Sequence, residues 1–228
     1  MKRTNVADQR EPITYRAAVR NFRSLLSEID EDARLASQNW YLRQHNEIAR
    51  LANLHGATIP LEANYHMVAA LSPGCPWDRN LTDYCDLLDA LASNEIETFR
   101  PQTYPNQKRK AILIYSLAEC HDIAWRGILR GPKERAFAEN LTYPEAEHMV
   151  TIDFHVWSIA ANTRWTHNTL PKNFTVLERR EVDRAIRTVA QENKLKACEL
   201  QAILWEHWRE TRKAPRFLKQ QVGKDKSS

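Results

Sequence analysis

Apolar side chains recur at helical spacing along nearly the whole chain, and no competing period interrupts them. The clearest stripes lie late in the sequence. Val182, Ile186, Val189 and Ala190 form one, Leu200, Ile203, Leu204 and Trp208 form the next, and "ENK" separates them. Glycine usage points the same way. Five glycines in 228 residues cannot supply the many tight turns of a sandwich or barrel. The expected fold class is all-α, with about nine helices and almost no sheet.

Reading forward, Tyr15 to Ile29 is the first expected helix, with Ala18, Phe22, Leu25 and Leu26 on one face. Asp30 to Asp32 marks a break. The next helix carries Leu35, Trp40, Ile48 and Leu51 and ends at "HGATIP". Glu62 to Leu71 follows, "SPGCP" interrupts, and Trp77 to Leu91 turns Leu81, Cys85, Leu88 and Leu91 inward. After "RPQTYP" a helix from Asn106 to Cys120 buries Ala111, Ile114, Leu117 and Ala118. Pro132 suits a first helical position, where its missing N–H costs nothing, and that helix runs to Asn140. Asp153 opens another, through Ala160. The expected organisation is a flexible stretch over 1–12, one helical domain over 13–212, and a basic tail over 213–228.

A net charge of +4 and a pI near 8.9 permit a nucleic-acid partner without demanding one. Much of the excess lies in "RETRKAPRFLKQQVGKDKSS", read either as a solvated tail or as a phosphate-touching arm. Cys75, Cys85, Cys120 and Cys198 stand far apart with no C-x-x-C pair. Neither a zinc site nor an iron–sulfur loop is expected from them, and no metal or cofactor is assigned. No stretch reaches the roughly 18 apolar residues of a membrane span. "MKRTNVADQREPITYR" lacks the apolar core of a secretory signal, so the expected home is the cytoplasm.

Chemistry concentrates in "GILRGPKERAFAENLTYPEAEHMVTIDFHVWSIA". A helix expected to end near Trp125, a turn holding Gly127 and Gly131, and a new helix at Pro132 make a candidate helix–hairpin–helix. Such a turn aims backbone N–H groups and a helix's positive end at one phosphate. Taken alone, "GPK" is better read as a plain interhelical turn. Asp153 has two readings as well: an N-cap, or a carboxylate that opposes a developing cation.

With these two segments in this order, the chain resembles the helix-hairpin-helix DNA glycosylase superfamily. That family follows a hairpin of the form L-P-G-V-G-x-K/T-A, about twenty residues on, with a helix of the form V-D-T-H-V-x-R-V. Here "ILRGPKERAFAENL" and "VTIDFHVWSIA" stand in those places. Upstream, "YHMVAALSPGCPWDRNLTDYCDLLDAL" and "YPNQKRKAILIYSLAE" are similar to the family's preceding helices. The likeness spans about residues 62–162. It departs from the family in having one glycine of the usual hairpin pair, and Gly74 and Cys75 where a glutamine often follows L-S.

The resemblance implies two packed helical lobes with a cleft between them, about 62–125 and 126–162, flanked by the terminal helices. It implies a monomer acting on double-stranded DNA without a membrane, in a bacterial or phage-infected cytoplasm. Asp153 would be the catalytic aspartate, and Lys133 stands where bifunctional members carry a Schiff-base lysine. Arg130, Gly131 and Lys133 would contact DNA. Trp77, Asn80, Phe137, Asn140 and His155 would line or support the base pocket. The implied activity is N-glycosidic cleavage of an extruded base, with or without lyase activity. Two alternatives stay open: a phage hypermodification transferase on a modified pyrimidine, and a non-catalytic DNA-binding protein.

Overall fold

The computed structural model describes residues 10–146, 149–166, 169–171 and 173–213. The expected flexible stretch over 1–12 and basic tail over 213–228 therefore lie almost wholly outside the described residues. Among the described residues ten α-helices run in the order α1 (Tyr15–Ser27), α2 (Glu31–Gln38), α3 (Trp40–Leu54), α4 (Leu61–Leu71), α5 (Trp77–Ala92), α6 (Pro105–Glu119), α7 (Pro132–Thr142), α8 (Phe154–Ala160), α9 (Val176–Glu192) and α10 (Ala197–Lys213). A 3-10 helix spans Ile123–Gly127. No strand occurs among the described residues, so the protein is all-α.

The chain forms two compact units. One is continuous, Asn39–Thr151; the other joins the residues up to Gln38 with those from Ile152 onward. The boundary expected at 125/126 lies inside the first of these.

In the continuous unit, α4 is the axis. Every residue from Ala63 to Leu71 is buried, which is the pattern of a helix covered on all sides. It packs against α3, α5, α6 and α7. Its polar side chains are matched locally. Tyr84 donates to Asn64 Oδ1 at 2.7 Å, and the Tyr65 hydroxyl lies 3.1 Å from His45 Nε2.

Two expectations about faces are revised. Leu35 and Trp40 do not share a helix: Asn39 separates α2 from α3, and Leu35 is exposed. Five residues turn a helix by about 500°, which leaves these positions about 140° apart, whereas Trp40, Ile48 and Leu51 fall together and are buried. On α5 the buried face is Asn80, Asp83, Tyr84, Leu87, Leu88 and Ala90 rather than the stripe through Leu81, Cys85 and Leu91. Two polar residues go inside because each is held. Asn80 Nδ2 donates to Val68 O at 3.2 Å, and Asp83 Oδ2 accepts from Gln102 N–H at 2.8 Å. Arg79 reaches the other Asp83 oxygen at 2.7 Å.

In the discontinuous unit, α1 lays Ala18, Phe22, Leu25 and Leu26 against α9, with α8 and α10 completing the core. Thr175 and Glu178 cap α9 reciprocally. Glu178 also fastens the N-terminal segment: Arg10 Nη2 donates to it at 2.8 Å and Ile13 N–H at 3.0 Å. The Arg10 guanidinium stacks 4.4 Å over Phe174, which lies flat on Trp157 with ring centroids 4.0 Å apart.

Arg10, with help from the Thr175 and Ile13 backbone, holds the Glu178 carboxyl down to about 2. A carboxyl depressed in the folded state stabilises it above the unfolded value and loses that stabilisation as pH falls through the folded value. The contribution is on the order of 3 kcal/mol at neutral pH. We expect the melting temperature to fall steeply between about pH 4.5 and pH 2. Glu178→Gln should lower it at pH 7 by several degrees and flatten that acid limb, read by circular dichroism melts.

Candidate nucleic-acid interface

Helix α7 and its N-cap carry Gly131, Lys133, Phe137 and Asn140 of the residues singled out in the continuous unit. Gly131 is its N-cap with extended backbone, and Pro132 takes the first helical position as expected. The element before the turn is the 3-10 helix ending at Gly127, with α6 closing earlier, at Glu119. Arg130 is exposed and Lys133 half-buried, and neither makes an ion pair with a described residue.

The N-terminus of α7 already holds an anion. Glu134, the third residue of the helix, folds back so that its Oε2 lies 3.2 Å from where a Cβ on Gly131 would sit. The Gly131 backbone amide lies beside this carboxylate and helps to hold its charge. Lys110 Nζ donates to both its oxygens at 2.7 and 2.8 Å, and Gln107 Nε2 to one at 2.7 Å. Burial pushes the Glu134 carboxyl up, but the Lys110 and Gln107 hydrogen bonds and the lysine charge outweigh it, leaving it below the ordinary carboxylate range. A glutamate three residues past an N-cap stands where its side chain can turn back toward the cap, a position legible in "GPKE". A phosphate approaching the Gly131 amide would have to displace this carboxylate.

One turn into α7, Lys133, Phe137 and Asn140 lie along one face. Phe137 joins an aromatic cluster built on three helices. Trp77 at the start of α5 lies 6.0 Å away at 84°, and Trp40 and Tyr41 at the start of α3 lie 6.3 and 6.2 Å away. Trp40 and Trp77 are in contact at 4.9 Å. Trp40 and Tyr41 are buried, while Trp77 and Phe137 are half-exposed. Asn140 is buried behind them. Its Nδ2 donates to Thr151 Oγ1 at 3.2 Å, which also accepts from the Tyr41 hydroxyl at 3.2 Å. Trp77 Nε1 donates to Gln44 Oε1 at 2.8 Å. Trp77, Phe137, Asn140 and Lys133 are thus brought to one region, whereas Asn80 is buried against α4.

Asp153 and His155 belong to the discontinuous unit. Asp153 is the N-cap of α8, accepting from Val156 N–H at 2.9 Å. His155 is half-buried, with its ring edge-on to Phe154 at 4.9 Å and to Trp205 at 6.2 Å. Gln44 and Tyr41 were not singled out by sequence, and Trp40 only as an apolar residue of its helix. Their meeting with Trp77 depends on how α3 and α5 pack, which no local pattern encodes. Among the described residues no group of three or more His, Cys, Asp or Glu could hold a metal ion.

The fold and this face define an all-α protein with a half-buried aromatic cluster and one lysine, Lys133, on the face of α7 that carries Phe137. The chain belongs to a family of unknown function (DUF7178), whose model matches residues 4–212. No curated protein and no solved structure matches it. Among the described residues no helix is long and apolar enough to cross a membrane.

Glu134→Ala removes the carboxylate that joins α6 to α7 and caps the latter. The expected loss is about 1–2 kcal/mol, visible as a lower urea midpoint. With Lys110 and Gln107 then unmatched beside the α7 N-terminus, millimolar phosphate should restore part of the loss in this variant and leave the wild type unchanged.

Proposed function

We propose that the protein acts on bases in DNA, receiving an extruded base against the half-exposed rings of Trp77 and Phe137. The observation that carries the reading is their meeting at 6.0 Å on the face that also presents Lys133. Stacking of a base on such rings contributes about 1–3 kcal/mol, comparable with the few kcal/mol that extrusion from the duplex costs. Arg130 and Lys133 supply backbone contacts that are independent of sequence. The Gly131 amide joins them only when Glu134 swings away.

In this reading the reaction is glycosidic. The C1′–N bond breaks, its electron pair leaves with the base, and a water oxygen bonds C1′ while its proton passes to solvent or to the departing base. The carboxylate that opposes positive charge on the sugar is assigned to Asp153, and support for that role is the likeness of "VTIDFHVWSIA" to the glycosylase motif. The same resemblance supports the wider expectation of a helix-hairpin-helix architecture, a monomer and a double-stranded DNA substrate.

A second reading, non-catalytic DNA binding, is favoured by one contact: the Asp153 carboxylate accepts a hydrogen bond from the α8 N-terminus. Asp153→Asn separates the two, because asparagine caps a helix about as well as aspartate. We expect this variant to melt with the wild type, to bind duplex DNA, and to lose base release by at least a hundred-fold. The assay is chromatography of free bases from uracil-, mismatch- and modified-pyrimidine duplexes. Full release by Asp153→Asn would remove that residue from the chemistry. Altered bases kept in the strand would identify a transferase, and DNA binding with no chemistry in the wild type would leave the second reading.

A further inference from the structure

We infer that Gln44 is a specificity-determining residue that selects a base presenting a carbonyl oxygen; this rests on the reading of the aromatic cluster as a base site. Gln44 lies on α3 one turn beyond Trp40 and Tyr41, so its side chain emerges beside the rings that floor the cluster. Its amide is held by Trp77 across 33 positions of sequence, with Trp77 Nε1 to Gln44 Oε1 at 2.8 Å.

That bond decides which way the amide faces. An amide oxygen and nitrogen are alike in size, so their assignment must come from the hydrogen-bond partners. Here the partner leaves one choice. An indole N–H is a donor and nothing else, so it can be met only by the oxygen. The Gln44 NH2 therefore faces away from the indole. No described residue accepts from Gln44 Nε2, and it is not among the buried polar atoms lacking a partner, so it opens to solvent.

Gln44 is half-buried and its stem is fixed by α3, so this is an oriented donor rather than a freely rotating one. An oriented donor with its own acceptor already used complements a carbonyl. Thymine and uracil present two, at C2 and C4, while adenine presents none and turns an amine of its own toward a donor on its six-position edge. The aromatic rings are indifferent to which base they stack on. Discrimination then falls to Gln44 where its NH2 stands opposite the exocyclic substituent, since there it pairs with the thymine or uracil carbonyl and meets the adenine amine unpaired.

The test uses the full chain and two probes, short oligo-dT and oligo-dA, with binding read by tryptophan quenching at pH 7.5. Gln44→Glu keeps an acceptor for the Trp77 indole and removes the donor. Wild type should prefer oligo-dT, and Gln44→Glu should lose about ten-fold on oligo-dT relative to oligo-dA. Its free-state tryptophan emission should match the wild type, while Gln44→Ala, which also strips the indole of its acceptor, should shift it. Wild-type affinity of Gln44→Glu for oligo-dT overturns the assignment, as does an equal loss on both probes, which would mark simple charge repulsion. Failure of the wild type to bind either probe would overturn the base-site reading itself, and Gln44's role with it.

Discussion

Protein covers every face of α4, and that burial sets the terms for the rest of the continuous unit. A helix with no solvent side must match each polar group it carries from its neighbours. Asn64 is matched by Tyr84 from α5 and Tyr65 by His45 from α3, while the Val68 carbonyl takes a second bond from Asn80. These contacts fix the angular settings of α3 and α5 about the axis. Those settings in turn bring Trp40, Tyr41 and Gln44 on one helix to Trp77 on the other. The aromatic face thus follows from polar satisfaction inside the core. Its floor is buried, and only its rim meets solvent.

Helix α7 shows how little sequence separates scaffold from surface chemistry. Glu134 is drawn inward by Lys110 and Gln107, while Lys133 and Phe137 on the adjoining stripe are left half-exposed. Lys110 is thereby committed to a structural ion pair, and its charge cannot be counted toward a DNA partner. The mild positive charge of the chain overstates the cation available to a phosphate.

Much of the fold was legible because helices advertise themselves by period. The all-α class, the capping role open to Asp153, and Pro132 as a first-turn residue follow from local rules. The misjoining of α2 and α3 came from counting apolar residues without checking their angle. The turned face of α5 has a different cause: Asn80 and Asp83 are buried because partners distant in sequence hold them, so hydrophobicity alone aims the helix wrongly. For the candidate site, Phe137, Asn140 and Lys133 could be grouped from one helix. Gln44 could not, since a lone glutamine acquires meaning only when a tryptophan from another helix reaches it.

The division of the chain also orders its own synthesis. The Asn39–Thr151 unit is contiguous and can close as soon as it clears the ribosome. Helix α1 has no such option, because the partner for Phe22 and Leu25 is α9, which begins at Val176. At about 5–20 residues per second, translation leaves that apolar face waiting roughly ten to thirty seconds. During this interval the nascent chain carries a folded middle and a sticky leading segment, which makes α1 the natural place for a chaperone to hold.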